Sequence, residues 1–161
     1  MRTIKAIFLA ALLLLSTHVF AYTDDEQVEF CGAVVDGNIP IVKKYLDSGV
    51  IKVNDVFFGW APVLSATSQG QLPMVKFLVE HGANINYQHP ITKLTPVATA
   101  AYDGNNELLE YLLKNGGNPN IQMRGGISVL RVTRKEGRTA TADLLVKYGA
   151  KDDGCQDEKC F

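Results

Sequence analysis

The residues that could carry out chemistry are few and widely spaced. The chain of 161 residues contains three histidines and three cysteines. Neither His81 nor His89 has a cysteine or carboxylate at the spacing of a zinc site. No Gly-x-x-x-x-Gly-Lys phosphate loop occurs. We therefore expect no catalytic residues, no metal and no cofactor, and the remaining patterns concern how elements are arranged for binding.

The first residues have the pattern of an export signal. Arg2 and Lys5 precede an uncharged apolar run at 7–15, and Ala21 completes a small-residue cleavage site. We expect residues 1–21 to be a cleavable signal peptide; the alternative is an uncut membrane anchor. Cleavage would change the formal net charge from −1 to −3 by removing two basic residues, which argues against a nucleic-acid partner. No Asn-x-Ser/Thr sequon occurs, which fits a bacterial periplasm better than a eukaryotic secretory route; the alternative location is extracellular.

Glycines recur along the chain in two interlocked ladders. Each ladder has spacings of 33, 34 and 33 residues. Each glycine is expected to end a helix in the left-handed backbone region, where a Cβ is costly. The ladders are Gly37, Gly70, Gly104, Gly137 and Gly49, Gly82, Gly116, Gly149.

Helical signals lie on both sides of the first glycine of each unit. An amphipathic stripe separates the two glycines of a unit, and it predicts a helix with one apolar face. A smaller helix is predicted ahead of the first glycine, at 62–69, 96–103 and 129–136. Thr95 and Ser128 precede two of these smaller helices and are suited to be N-caps.

This unit of two helices and a turn resembles the ankyrin repeat. The matching runs are Thr95-Pro96-Val97-Ala98, Ala61-Pro62-Val63-Leu64, Leu78-Val79-Glu80-His81-Gly82-Ala83-Asn84-Ile85-Asn86 and Leu112-Leu113-Lys114-Asn115-Gly116-Gly117-Asn118-Pro119-Asn120. The resemblance implies an all-α repeat solenoid of about four ankyrin repeats, in which helix-turn-helix pairs are joined by β-turn fingers. The repeats fall near 27–59, 60–92, 93–125 and 126–151, within a domain at 22–151 that is followed by a short tail at 152–161. The fingers fall at 50–60, 83–94 and 117–127.

The cysteines divide into two groups under this arrangement. Cys155 and Cys160 are close in sequence, and we expect them to form a disulfide if the chain is exported; the alternative is two free thiols. Cys31 lies in the first unit, too far along the stack to reach the tail. We expect it to be a buried small hydrophobe, and the alternative is a reactive thiol.

Two groups of residues are candidates for a binding surface on the concave face, which the resemblance assigns to the fingers and small helices. The aromatic group centres on the first finger, where one or two rings could instead fold back over the first unit. We expect His89 to be solvated on the second finger. The basic group lies mostly in the fourth unit, and its alternative role is a solvated cap. The aromatic group is Phe57, Phe58, Trp60, Tyr87, His89 and Tyr102. The basic group is Arg124, Arg131, Arg134 and Lys135.

These features predict a non-catalytic protein that binds another protein in the periplasm or outside the cell. We expect it to be a monomer with no stable membrane anchor. The sharper hypothesis is an inhibitor or immunity-type protein that binds a secreted effector. The alternatives are an accessory or stress-related partner of a resident envelope enzyme, or a secreted host-directed binding protein.

Overall fold

The computed structural model describes residues 23–151, and eight α-helices lie within them. They form four antiparallel pairs that follow one another along the chain. The helices are α1 (Asp24–Val35), α2 (Ile39–Ser48), α3 (Pro62–Ser68), α4 (Leu72–Glu80), α5 (Pro96–Asp103), α6 (Asn106–Lys114), α7 (Val129–Lys135) and α8 (Thr139–Lys147).

The pairs stack into two rows. The inner row is α1, α3, α5 and α7, and each of these helices contacts the next one in the row. The outer row is α2, α4, α6 and α8, and each of these packs on the inner helix that precedes it. Between residues 23 and 151 the extended pairing is limited to one isolated bridge in the first finger. The predicted all-α repeat solenoid of about four units is therefore confirmed.

The two glycine ladders end helices as predicted. All eight glycines have positive φ, from 66° at Gly70 to 92° at Gly116. Ala in place of Gly37 would also bring its Cβ to 2.7 Å from Gln71 Oε1. The positive φ favours glycine at all eight positions, and a side chain of the next unit also crowds an added Cβ at Gly37 and Gly104.

The helix starts follow their capping residues. The hydroxyls of Thr95 and Ser128 accept hydrogen bonds from the first turns of α5 and α7, so both predicted N-caps are confirmed. The first helix begins at Asp24, ahead of residue 27, where the sequence predicts the first unit. Thr23 and Glu26 form a capping box there, in which each side chain accepts from the backbone N–H of the other residue. The motif can be read from the sequence, but the repeat pattern does not indicate it.

The four units share one core. Its large buried side chains come from every pair of helices, which fits repeats that cannot bury their apolar faces alone. In the middle of the stack, Ala98, Ala100 and Ala101 of α5 are all buried and allow neighbouring inner helices to approach closely. The largest fully buried side chains are Phe30, Ile51, Leu64, Met74, Leu78, Leu108, Leu109, Leu112, Leu130 and Leu145.

An asparagine at the same place in three consecutive units joins each unit to the next. Each of these side chains accepts a hydrogen bond from a backbone N–H of the following unit, at 2.7 or 2.8 Å. Each also donates to the carbonyl of that unit's last ladder glycine, at 3.0 Å. The three residues are Asn54, Asn86 and Asn120.

Two predictions fall on parts of the chain outside the described residues. The proposed signal peptide and the Cys155–Cys160 disulfide both stay predictions. Along residues 23–151, no helix has the length and apolar character needed to cross a membrane.

Candidate protein-binding surface

The tip of the first finger is a tight two-residue turn. Phe57 and Trp60 exchange backbone hydrogen bonds of 2.9 Å in each direction. The two residues between them have positive φ, 53° at Phe58 and 85° at Gly59, as in a type I′ hairpin turn. Glycine at position 59 suits such a turn. At position 58, where this chain has Phe, the turn favours Asn, Asp or Gly. The sequence therefore places a bulky aromatic residue in a conformation that strains it.

The three aromatic residues of this finger have different environments. The Phe57 side chain is 5% exposed, and its ring centroid lies 5.8 Å from that of Phe30 in the core. The Phe58 side chain is 90% exposed and Trp60 is 39% exposed. One ring thus folds back over the first unit, as one of the two alternatives held, and two remain at the surface.

The second finger holds the first finger in place. The hydroxyl of Tyr87 donates a hydrogen bond to the carbonyl of Gly59, and the Trp60 and His89 ring centroids are 5.1 Å apart. Tyr87 is half-buried, and burial raises the pKa of its hydroxyl. Tyr87 therefore stabilises the first finger through this hydrogen bond and does not extend the exposed aromatic group.

The expectation that His89 is solvated is wrong. The residue is 6% exposed, and its Nδ1 accepts hydrogen bonds from the backbone N–H groups of Ile91 and Thr92 at 3.3 and 3.2 Å. Two accepted bonds assign the ring proton to Nε2. The backbone N–H groups of Ile91 and Thr92 have no neighbouring strand to pair with, so they donate to the imidazole. The loop therefore closes around the His89 ring.

A groove of about 560 Å³ lies between α1, α3 and the first finger. Its rim includes Val28, which is 70% exposed, together with Val35 and Phe58. No side chain among its described lining residues is charged. Sequence reasoning missed this site, although Val28, Cys31 and Val35 form a second apolar stripe on α1 at helical spacing.

Cys31 lines this groove and packs against the edge of the core. It is half-buried, and burial raises the pKa of its thiol. The expectation of a buried small hydrophobe holds only in part, because Cys31 packs against the core and also lines the groove. A raised pKa disfavours the thiolate and hence nucleophilic reactivity.

The other predicted residues lie away from the groove. Tyr102 is exposed at the end of α5. Arg124 belongs to the third finger, and its backbone N–H donates to the carbonyl of Thr92 in the second finger at 3.3 Å. On α7, Arg134 and Lys135 are exposed and Arg131 is half-buried. The aromatic group therefore lies mainly in the first two units and the basic group mainly in the fourth, while Tyr102 and Arg124 both lie in the third.

No three His, Cys, Asp or Glu side chains of residues 23–151 are grouped so as to hold a metal ion. His81 follows the last residue of α4, and its Nδ1 lies 2.7 Å from the Phe77 carbonyl oxygen. His81 therefore lies at the C-terminal end of α4.

Comparison with known proteins also identifies ankyrin repeats in this chain. The family described as ankyrin repeats (3 copies) matches residues 30–123. The chain is 27% identical over 132 residues to "Ankyrin repeat, SAM and basic leucine zipper domain-containing protein 1" of Dasypus novemcinctus, a match to 80% of this chain and 28% of that protein. The protein of the same name from Mus musculus is 32% identical over 77 residues, which cover 48% of this chain and 16% of the relative. The chain thus spans only a minor part of the curated relatives that it matches. Ankyrin repeats are protein–protein interaction modules and are generally non-catalytic. This chain belongs to the ankyrin-repeat family.

Proposed function

We propose that this chain is an exported, non-catalytic protein that binds another protein through the first finger and the adjacent groove. The observation that carries the proposal is Phe58, a large aromatic side chain that is 90% exposed at a finger tip. Exposed aromatic residues bury much area at low entropic cost when a partner covers them, and they are enriched among the residues that dominate binding energy.

Folding alone does not favour phenylalanine at this position. A residue with a Cβ in the left-handed region costs about 1 kcal/mol or more, and asparagine tolerates it better. The Phe58 ring is almost entirely outside the core, so burial does not offset this cost. A partner that covers the ring would supply the missing stabilisation.

The first finger is also arranged to present its tip rigidly. The Tyr87 hydrogen bond to Gly59 and the Trp60–His89 contact fix the turn before any partner arrives. A fixed turn reduces the conformational entropy that binding must remove. Phe58 and Trp60 are therefore the proposed anchors, with Tyr87 and His89 as their supports.

Export rests on the residue pattern ahead of the domain. A cut after Ala21 would leave Tyr22 as the new N-terminus, just ahead of the capping residue Thr23. Such a cut would spare every helix within residues 23–151 and the capping box. The expected result is a periplasmic chain that begins at Tyr22, detected by N-terminal sequencing. An intact N-terminus in the membrane fraction would contradict the export proposal.

The sharper form of the proposal is inhibition of a secreted effector. A small binding domain that seats a partner's side chain in a groove could block an active site without chemistry of its own. Capture from envelope and secreted fractions separates the alternatives. A toxin-like hydrolase that loses activity in the complex supports inhibition, a resident envelope enzyme supports the accessory role, and a host protein supports the host-directed one.

The test of the binding site uses Phe58→Asn. Asparagine suits the turn, so we expect the variant to be as stable as the wild type or more stable by about 1 kcal/mol. Its affinity for the captured partner should fall about 10-fold or more, because the main anchor is lost. The matched control is Val146→Ala, at an exposed apolar residue of the outer helix α8. Unchanged affinity in Phe58→Asn would overturn the proposal, and so would equal loss in the control.

A further inference from the structure

The groove presents a continuous apolar surface that no other described part of the chain covers. Val28 and Val35 of α1 lie on one side, and Phe58 and Trp60 of the first finger lie on the other. All four side chains are at least partly exposed. Its volume of about 560 Å³ lies within the range of pockets that bind small ligands or a few side chains. An exposed apolar surface rimmed by polar residues is typical of an interaction site.

The charges on the two helices that line this groove have one sign. Helix α1 has acidic residues in its first turn and no basic residue in its last. Asp24 lies four residues ahead of Val28, and Asp36 lies four residues after Gly32, so both extend the face of α1 that lines the groove. Asp25 lies three residues ahead of Val28, near the same edge. All three carboxylates are exposed.

The other carboxylates of α1 have structural roles. Glu26 completes the capping box, and Glu29 accepts a hydrogen bond from the Tyr45 hydroxyl of α2. The three aspartates at the groove are therefore the charges that an arriving segment would meet first. Helix α3, on the opposite wall, contributes no charged residue.

We infer that the groove binds a segment of a partner protein in which bulky apolar side chains lie next to lysine or arginine. The apolar side chains would fill the space between α1 and the first finger, and the basic residues would approach Asp24, Asp25 and Asp36. An acidic segment would be repelled, so the carboxylates select among apolar segments by charge. This inference rests on the proposed function and adds the chemistry of the partner.

The test is selection from a library of short random peptides displayed on phage, with the full chain as the target. We expect the selected peptides to combine aromatic or aliphatic residues with lysine or arginine. A synthetic copy of one of them should bind about 10-fold tighter than its lysine-to-glutamate twin at low salt, and added salt should reduce that ratio.

Two variants separate the apolar and electrostatic parts. Val28→Ser should weaken both peptides by a similar factor, because it removes apolar surface from the rim. The combined change Asp24→Asn, Asp25→Asn, Asp36→Asn should reduce the preference for the lysine peptide and leave the twin's affinity nearly unchanged. Asp143→Asn, at an exposed aspartate of the outer helix α8, is the matched control and should change neither affinity.

Several outcomes would overturn the inference. Selected peptides without basic residues would do so, and if their binding still depends on Phe58, the proposed function stands. Peptides whose binding depends on neither Phe58 nor Val28 would count against both proposals.

Two other occupants of the groove are also distinguishable. Self-association that Val28→Ser abolishes would assign the groove to a second copy. Peptide binding seen only in a chain that begins at Tyr22 would assign it to residues 1–21, which carry Arg2 and Lys5 beside an apolar run.

Discussion

The first and fourth units lie at opposite ends of the described stack, and their inner helices differ in charge and in exposed apolar surface. Helix α1 carries acidic residues beside an apolar groove, with the aromatic tip of the first finger across from it. Helix α7 ends with Arg134 and Lys135, and its Thr133 is fully buried with its hydroxyl bonded to the Leu130 carbonyl at 2.9 Å. Both units depart from the repeat pattern, yet within residues 23–151 only the first of the two exposes several large apolar side chains.

The middle units show why such differences are confined to the ends. The residues of α5 from Pro96 to Ala101 are all buried between neighbouring units, so packing dictates their types. A terminal unit has a neighbour on only one side. Its inner helix is therefore free to carry charge, as in α7, or an open apolar stripe, as in α1.

The largest effect expected at the first unit comes from Phe30→Ala. Phe30 is fully buried and packs against Tyr45 and Phe57, with ring centroids 6.0 and 5.8 Å apart. The change should lower the free energy of unfolding by about 3–5 kcal/mol, measured by urea denaturation. It should also weaken partner binding, because the first finger rests on Phe57.

Leu130→Ala in the fourth unit is the matched change at the other end. It should cost about 2–5 kcal/mol, since Leu130 is also buried, but it should leave the affinity of the folded protein nearly unchanged. Equal losses of affinity in the two variants would remove the functional distinction between the ends.

An intermediate effect is expected from the asparagine that joins the first finger to the second unit. Asn54→Ala removes hydrogen bonds with Gly82 and Asn84, and it should cost about 1–2 kcal/mol. Asn120→Ala removes the equivalent bonds at the other end and should cost a similar amount. The two variants should therefore have similar melting temperatures in thermal unfolding. Affinity should separate them, with a decrease only in Asn54→Ala, and the reverse order would contradict our assignment.

The smallest effect concerns alkaline pH at the first unit. The Tyr45 hydroxyl donates to the Glu29 carboxylate, and this hydrogen bond, followed by burial and the nearby negative charge, raises the pKa of Tyr45 to about 12. An unfolded tyrosine titrates near pH ~10. The stabilisation is therefore complete below pH ~10 and is lost as the pH rises towards about 12.

Tyr45→Phe should remove this alkaline dependence. Urea denaturation at a series of pH values should show the wild type as the more stable protein at neutral pH, with the difference vanishing near pH ~12. Tyr102→Phe, at an exposed ring on α5, is the control and should keep the wild-type pH profile. A Tyr45→Phe profile parallel to that of the wild type would contradict the role of the Glu29 hydrogen bond.

Most of the fold follows from the sequence because repetition reveals it. One glycine could mark a turn of many kinds, whereas eight glycines in two ladders identify the ends of helices, and all eight have positive φ. Thr95 and Ser128 mark helix starts for the same local reason. Outside the repeat pattern the prediction was less complete, since α1 begins at Asp24 with a capping box that only local inspection would find.

The candidate site was harder to predict because finger side chains take their direction from the turn. The sequence identified Phe57, Phe58 and Trp60, but it did not decide which ring was buried. The type I′ turn sends Phe57 into the core and leaves Phe58 outside. His89 was misplaced because its burial depends on backbone donors of its own loop and on Trp60 of another finger. Neither contact leaves a periodic signal.

The most direct test of our central claim is the footprint of the bound partner by amide hydrogen exchange. The chain would be compared free and in complex with the captured protein. We predict that binding slows exchange in residues 24–36 and 55–61, while α7 and the third finger exchange as in the free chain. Protection centred on α7 and Arg124, with the first finger unchanged, would contradict the account and assign binding to the basic end of the stack.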